Sequence, residues 1–170
     1  MIVRDATRED LRHLKALEAA ADTTYEQLFG PLDWEPPSTG AWRARQPGFL
    51  LVAGEPGTVV GFAHVLWLQG TAHLEQLAVH PDAQRRGTGT ALVRAVLARA
   101  AAEGHRRLTL STYADVAWNR PFYERLGFEV VRDPSPLERA LQEKEAEMGL
   151  LRHGPRVVMQ VALPSQVTGE

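Results

Sequence analysis

Apolar and polar positions alternate along this chain in two rhythms, one helical and one of period two. Leu11, Leu14 and Leu17 recur at helical spacing. They follow Thr7, a capping residue, and the first-turn acids Glu9 and Asp10, so a helix is predicted over residues 8–21. A short strand over 1–4 precedes it. Gly30, Pro31, Pro36, Pro37 and Gly40 interrupt residues 23–46, which read as a broken, partly helical segment carrying Tyr25, Phe29, Trp34 and Trp42. Strands are predicted over 49–53, 58–68 and 71–79, the last two joined by Gln69-Gly70 as a two-residue turn. That turn pairs Leu68 with Thr71 and sets His64 opposite Glu75. An alanine-rich helix over 88–103 stops at Gly104, and a strand follows over 107–112. A short helix over 118–126 stops at Gly127, before a strand over 128–132. A polar helix over 136–148, a last strand over 156–163 and a frayed tail over 164–170 complete the chain. This order predicts an α/β (α+β) domain over residues 1–163, built on one mixed sheet.

Composition narrows the function. With 170 residues, 44% hydrophobic and 24% charged, the chain suits one globular domain with a sizeable core. The most apolar stretch, 59–68, is broken by Gly61 and His64, which excludes a membrane span, and no membrane partner is expected. No signal-peptide core opens the chain, and there is no cysteine. The second fact excludes a disulfide framework, a thiol nucleophile and a cysteine-based metal site, and it fits a cytoplasmic protein. A net charge of −2 from 19 basic and 21 acidic residues excludes a general nucleic-acid footprint. Charge is unevenly spread, however: residues 84–107 hold six arginines against Glu103 alone, while 133–147 hold five acids against Arg139 and Lys144. One basic segment in such a chain fits a small anion.

That basic segment surrounds Gly87-Thr88-Gly89, which follows a strand and opens a helix. Free N–H groups at a helix start, with glycines permitting close approach, form an anion cradle, and Arg85 and Arg86 add charge. No Lys-Ser/Thr pair follows, which excludes a Walker loop. The dinucleotide fingerprint fails as well, because Leu92 occupies the third-glycine position. A lone Gly-x-Gly is equally a tight strand-to-helix turn without a ligand.

Two segments together say more. Gln84-Arg-Arg-Gly-Thr-Gly89, after Leu77-Ala-Val-His-Pro81, resembles the acetyl-CoA loop of the GNAT N-acetyltransferase superfamily. Asn119-Arg-Pro-Phe-Tyr-Glu-Arg-Leu-Gly-Phe128 is similar to the second signature of the same family. The resemblance implies a mixed, mostly antiparallel sheet, splayed between its fourth and fifth strands, with helices on both faces. It implies acetyl-CoA as cosubstrate and no metal. The pyrophosphate would lie on the backbone of Arg85, Arg86, Gly87, Thr88, Gly89 and Thr90, with Gln84 beside it. Leu77, Ala78 and Val79 would pair with the pantetheine amides as an added strand. Asn119 and Phe122 would line the CoA arm, although Asn119 also reads as a helix cap. A homodimer is left open.

Acetyl transfer to an amine needs a base for the ammonium and an acid for the leaving thiolate. His73 and Glu75, two apart on one strand, share a face about 6.6–7 Å apart along it. Residues 72–80 resemble the matching strand of arylalkylamine N-acetyltransferases, which carry histidines at both positions; here Glu75 replaces the second. Glu75 acting through water is the preferred base, His73 the next, with His64 orienting Glu75. A metal held by His64, His73 and Glu75 is the less favoured reading, and polar residues on a half-exposed strand the plainest one. Tyr123 stands where the family commonly places the thiol's proton donor, and a core tyrosine is the alternative. The expected activity is acetyl transfer from acetyl-CoA to a primary amine by direct attack, with a hydroxyl such as Ser111 left as a nucleophile only formally. A non-catalytic acyl-CoA sensor on the same fold is the alternative function. Residues 23–46 and 133–154 would set the acceptor, a small molecule or a peptide amine. Tyr25, Trp34 and Trp42 read as packing, with an aromatic wall at the acceptor site as the alternative. Glu138, Glu143, Glu145 and Glu147 read as a solvated helix face, with attraction of a cationic amine as the alternative.

Overall fold

The computed structural model describes residues 1–165, so most of the tail predicted to fray lies outside the described residues. Seven strands form one sheet in the order β1-β2-β3-β4-β5-β7-β6. They are β1 (Val3–Asp5), β2 (Gly48–Ala53), β3 (Gly61–Leu68), β4 (Thr71–Val79), β5 (Arg107–Tyr113), β6 (Glu129–Val130) and β7 (Arg156–Ala162). All neighbours run antiparallel except β4 and β5, which run parallel. The expected mixed sheet with helices on both faces is therefore present. Among the described residues, no helix is long and apolar enough to cross a membrane.

The predicted first helix is two helices, α1 (Arg8–Leu11) and α2 (Leu14–Phe29). Asp10 folds back onto the Thr7 N–H and hydroxyl in a capping box, and Arg4 grips the same carboxylate at 2.7 Å. The chain then breaks at Arg12–His13, where the His13 N–H returns to Asp10 O. α2 runs past the expected end because the Thr23 and Thr24 hydroxyls bond back to Ala20 O and Ala21 O and do not interrupt the ladder. The broken segment resumes as α3 (Gly40–Arg45). A Cβ on Gly40 would stand 2.2 Å from Leu11 O, so only glycine lets α3 begin this close to α1.

Past the sheet's centre come α4 (Thr88–Ala102), α5 (Arg120–Arg125) and α6 (Pro136–Glu147). Leu92, Val93 and Val96 of α4 and Tyr123 of α5 close the larger core against Ala72, Leu74, Leu108 and Leu110 on one face of the sheet. Leu14 and Leu17 of α2 close a smaller core on the other face against Leu50, Val52, Phe62 and Ala78. α6 joins α2 on that second face, where Glu138 binds Arg107 and Glu145 meets Ser111, both on β5.

Gln69 and Gly70 both take positive φ, and Leu68 pairs with Thr71 as the turn requires. The register then slips: Val65 pairs with Leu74, but His64 pairs with Gln76. Glu75 is the extra residue of a bulge, so the expected pairing of His64 with Glu75 is corrected by one position. The parallel β4–β5 ladder ends at the same level, after Ala72–Leu108, His73–Thr109 and Leu74–Leu110. Beyond Leu74 the two strands part, and this is the splay between the fourth and fifth strands.

Candidate active site

The parted strands open a continuous cleft of about 1780 Å³ that joins the two faces of the sheet. On the α4 side its wall is the loop before that helix. Arg85 and Gly87 both have positive φ, 60° and 82°, which turns successive N–H groups toward one concavity. Thr88, Gly89 and Thr90 form the first turn of α4, whose N–H groups have no carbonyl within the helix to bond. Leu77, Ala78 and Val79 pair with β3 on one side only, leaving their other edge to the cleft. The Gln84 side chain is already spent on Val79 O, at 3.1 Å. Phe122 lies 3.5 Å from where a Cβ on Gly89 would stand, which closes the cradle from the α5 side.

The far side of the cleft carries the titratable groups. His73, 8% exposed, bonds through Nδ1 to the Thr109 hydroxyl at 2.9 Å. The Thr109 hydroxyl also lies 3.4 Å from Ala72 O, and donating there leaves its oxygen to accept from Nδ1. That arrangement puts the lone pair of the neutral ring on Nε2, and His73 lines the cleft. Burial holds the His73 pKa below its ordinary value, which keeps the ring neutral at pH 7.

Glu75 belongs to a buried cluster that sequence reasoning missed. Arg43 of α3, 4% exposed, donates from Nη1 to Glu75 and from Nη2 to Glu18 of α2, the latter at 2.8 Å. Its guanidinium rests on the Phe62 ring. His64 Nδ1 lies 2.9 Å from Arg43 Nη1 and 3.3 Å from Glu75 Oε2, so His64 does adjoin Glu75 despite the slipped register. Burial opposes ionisation of both acids, with different results. Glu18 is pushed up to about 7 by burial against the pull of Arg43. For Glu75, the contacts with His64 and Arg43 outweigh burial and hold its pKa below the usual range. Asp22, one turn along α2, is raised to about 6 by burial and by Glu26. Among the described residues, no group of three His, Asp or Glu side chains is placed to hold a metal ion.

Tyr123 sits between the halves. It packs in the larger core yet lines the cleft, and burial pushes its pKa up, so it remains a protonated phenol. Asn119 makes no side-chain cap bond. Instead its Oδ1 accepts from the Thr112 hydroxyl at 2.6 Å and the Tyr113 N–H, and its Nδ2 donates to Tyr25 at 2.8 Å. Tyr25, Phe29, Trp34, Tyr113 and Trp118 pack on one another, stacked in Tyr25–Phe29 and Trp34–Tyr113 and edge to face or tilted elsewhere, and all but Phe29 also line the cleft. Trp42 is different: it is 40% exposed and meets His64 edge-on.

A family model described as the acetyltransferase (GNAT) family matches residues 14–128, from the start of α2 to just past α5. The chain belongs to the GNAT acetyltransferase family. Mycothiol acetyltransferase of Frankia casuarinae is 33% identical over 131 residues, 76% of this chain and 35% of that protein. Mycothiol acetyltransferase of Mycobacterium sp. (strain JLS) is 36% identical over 96 residues, 55% of this chain and 31% of that protein. The chain thus spans about a third of the length of these curated relatives. The ribosomal-protein-S18-alanine N-acetyltransferase of Escherichia coli superposes with a TM-score of 0.69 at 20% identity, covering 99% of this chain and 98% of that one. The PaiA N-acetyltransferase of Thermoplasma acidophilum, solved in complex with coenzyme A, gives 0.67 at 16%, covering 95% and 98%. At these identities the shared property is the GNAT fold.

In this GNAT chain one cleft brings together the expected His73, Glu75 and Tyr123 with Leu77, Val79, Gln84, Arg85, Gly87 to Thr90, Asn119 and Phe122. The α6 acids are not one solvated face. Glu138 is buried, capping α6 and pairing with Arg107, while Glu145 binds Ser111 and Arg156 at the cleft. Only Glu143 and Glu147 stay exposed. Arg43, Glu18 and Thr109 were missed because no local motif marks them; their partners lie 25–36 residues away.

Proposed function

We propose that this GNAT chain transfers an acetyl group from acetyl-CoA to a primary amine by direct attack. One observation carries the reading: a single cleft runs from the N–H cradle at Arg85 and Gly87 to Thr90 through the parted strands to His73, Glu75 and Tyr123. The pyrophosphate lies on the cradle and the pantetheine amides pair with the free edge at Leu77, Ala78 and Val79, flanked by Phe122 and the backbone at Asn119. This puts the thioester at the gap beyond Leu74.

The acceptor enters from the α2–α6 face as an ammonium. Ionised Glu75 attracts it and holds the water through which its proton leaves. His73, neutral and with Nε2 free of the Thr109 contact, receives that proton and releases it to solvent before the next turnover. The free amine attacks the thioester carbonyl, its nitrogen sheds a second proton through the same water to solvent, and the tetrahedral intermediate collapses with cleavage of the C–S bond. Tyr123 gives its proton to the departing thiolate and regains one from solvent. No covalent enzyme intermediate is needed, and the Ser111 hydroxyl is committed to Glu145. The likeness to mycothiol acetyltransferases supports the transfer chemistry without selecting an acceptor. A cysteine-free chain that consumes acetyl-CoA belongs in the cytoplasm.

The test is acetyl-CoA consumption against a panel of small amines and peptides, paired with thermal shifts in acetyl-CoA, CoA, NAD and ATP. Turnover with at least one amine and stabilisation by acetyl-CoA are expected. Preferential stabilisation by NAD or ATP overturns the cofactor reading. Stabilisation by acetyl-CoA with no turnover on any amine favours a sensor.

A further inference from the structure

Arg43 has no part in the two signatures of the family, yet it is the best-buried cation at the cleft. It leaves α3 and reaches two carboxylates from two other elements, Glu18 on α2 and Glu75 on β4, while stacking on Phe62. The groups facing Glu75 are Arg43 from α3, Glu18 from α2, His64 from β3 and His73 from its own strand. Of these, only Arg43 carries an obligate positive charge. A single guanidinium cannot fully neutralise two carboxylates. Their contacts differ: the Glu75 carboxylate meets His64 Nδ1 as well as Arg43, whereas the Glu18 carboxylate meets Arg43. The Glu18 side chain is 7% exposed and the Glu75 side chain 33%. The sealed acid tends to hold a proton, and the acid at the cleft keeps its charge.

We propose that Arg43 is a positioning residue for the transfer reaction: it holds the Glu75 carboxylate, ionised and in one orientation, at the acceptor wall of the cleft. The bulge at Glu75 makes such a clamp necessary. A bulged residue lacks the regular cross-strand neighbour that normally fixes side-chain direction, and His64 pairs with Gln76 instead. Arg43 supplies the constraint from outside the sheet. It reaches that place because Gly40 allows α3 to start against Leu11 O.

The proposal rests on the acetyltransferase reading, and the test separates the two. Carboxylate ¹³C NMR reads the titration of Glu75 with no acceptor present, so it stands even if no amine is turned over. Arg43→Gln is expected to raise the Glu75 pKa by about one pH unit or more. With an amine that wild type acetylates, the same variant is expected to raise the amine KM about tenfold or more, with a smaller change in kcat. Arg43→Lys should recover part of both effects. In a Glu75→Gln background, Arg43→Gln should have no further effect on KM. A merely structural Arg43 would instead lower activity equally in both backgrounds. Should Arg43→Gln fail to fold, Glu18→Gln decides: it leaves Arg43 to Glu75 alone, so the Glu75 pKa must fall and the amine KM must not rise. An unchanged Glu75 titration in the folded variants, or equal losses with and without Glu75, overturns the proposal.

Discussion

Thr109 and His73 face each other across the parallel β4–β5 pair, with the hydroxyl oxygen 2.9 Å from Nδ1. When that hydroxyl donates onward to Ala72 O, 3.4 Å away, it accepts from His73. A strand register thus sets a tautomer, and the tautomer sets which nitrogen serves the reaction.

His73→Gln is expected to lower kcat/KM by about a hundredfold or more and to remove the acidic limb of the pH–rate profile. In wild type that limb lies below pH 6.5, since burial depresses the His73 pKa. Activity therefore falls as the pH drops through that lower value and is flat above it. Thr109→Val, equal in shape, should cost about tenfold by releasing the ring to its other tautomer. Steady-state rates from pH 5 to 9 check both, and an unaltered limb in His73→Gln removes His73 as the base.

Tyr123→Phe keeps the ring packed against Phe122 and Phe128 and deletes only the hydroxyl. Turnover should drop by about a hundredfold or more while CoA binds as before. Calorimetric CoA affinity beside single-turnover rates is the check; equal loss of both would assign Tyr123 to packing.

Gly89→Val leaves the fold intact, because a Cβ there meets only ordinary contacts, 3.5 Å from Phe122 and 3.9 Å from Val79. Its methyl groups enter the space the phosphates need. CoA should bind at least about tenfold more weakly, a loss of about 1.4 kcal/mol. Unchanged CoA titration in a folded Gly89→Val protein would rule the cradle out.

Asp10 supports stability rather than chemistry. Its hydrogen bond from Arg4, against the cost of burial, holds its pKa far below the ordinary value of 3.8. A depressed carboxylate stabilises the fold above its unfolded pKa, and that contribution is lost as the pH falls below 3.8 toward the folded value. Asp10→Ala, which removes the capping box and the pair with Arg4, should cost about 2 kcal/mol at pH 7 and distinctly less at pH 3. Urea unfolding at the two pH values measures the difference.

What the sequence determined by itself was local. Gln69-Gly70 defined a two-residue turn, Gly87-Thr88-Gly89 a helix start open to an anion, and Asn119 to Phe128 a second signature. The turn and the helix start depend on dihedral preferences and near-neighbour hydrogen bonds, which a few consecutive residues suffice to specify, whereas the second signature was read from its resemblance to the family. His73 and Glu75 were singled out by their spacing on one strand, and Tyr123 by the resemblance. The split between α1 and α2, the bulge at Glu75, and the partners of Arg43, Thr109 and Glu145 were decided only by the tertiary structure. Each depends on where a distant element comes to rest. Arg43 and Glu75 are 32 residues apart, and whether a charge is solvated or buried in a pair depends on packing that no short window contains.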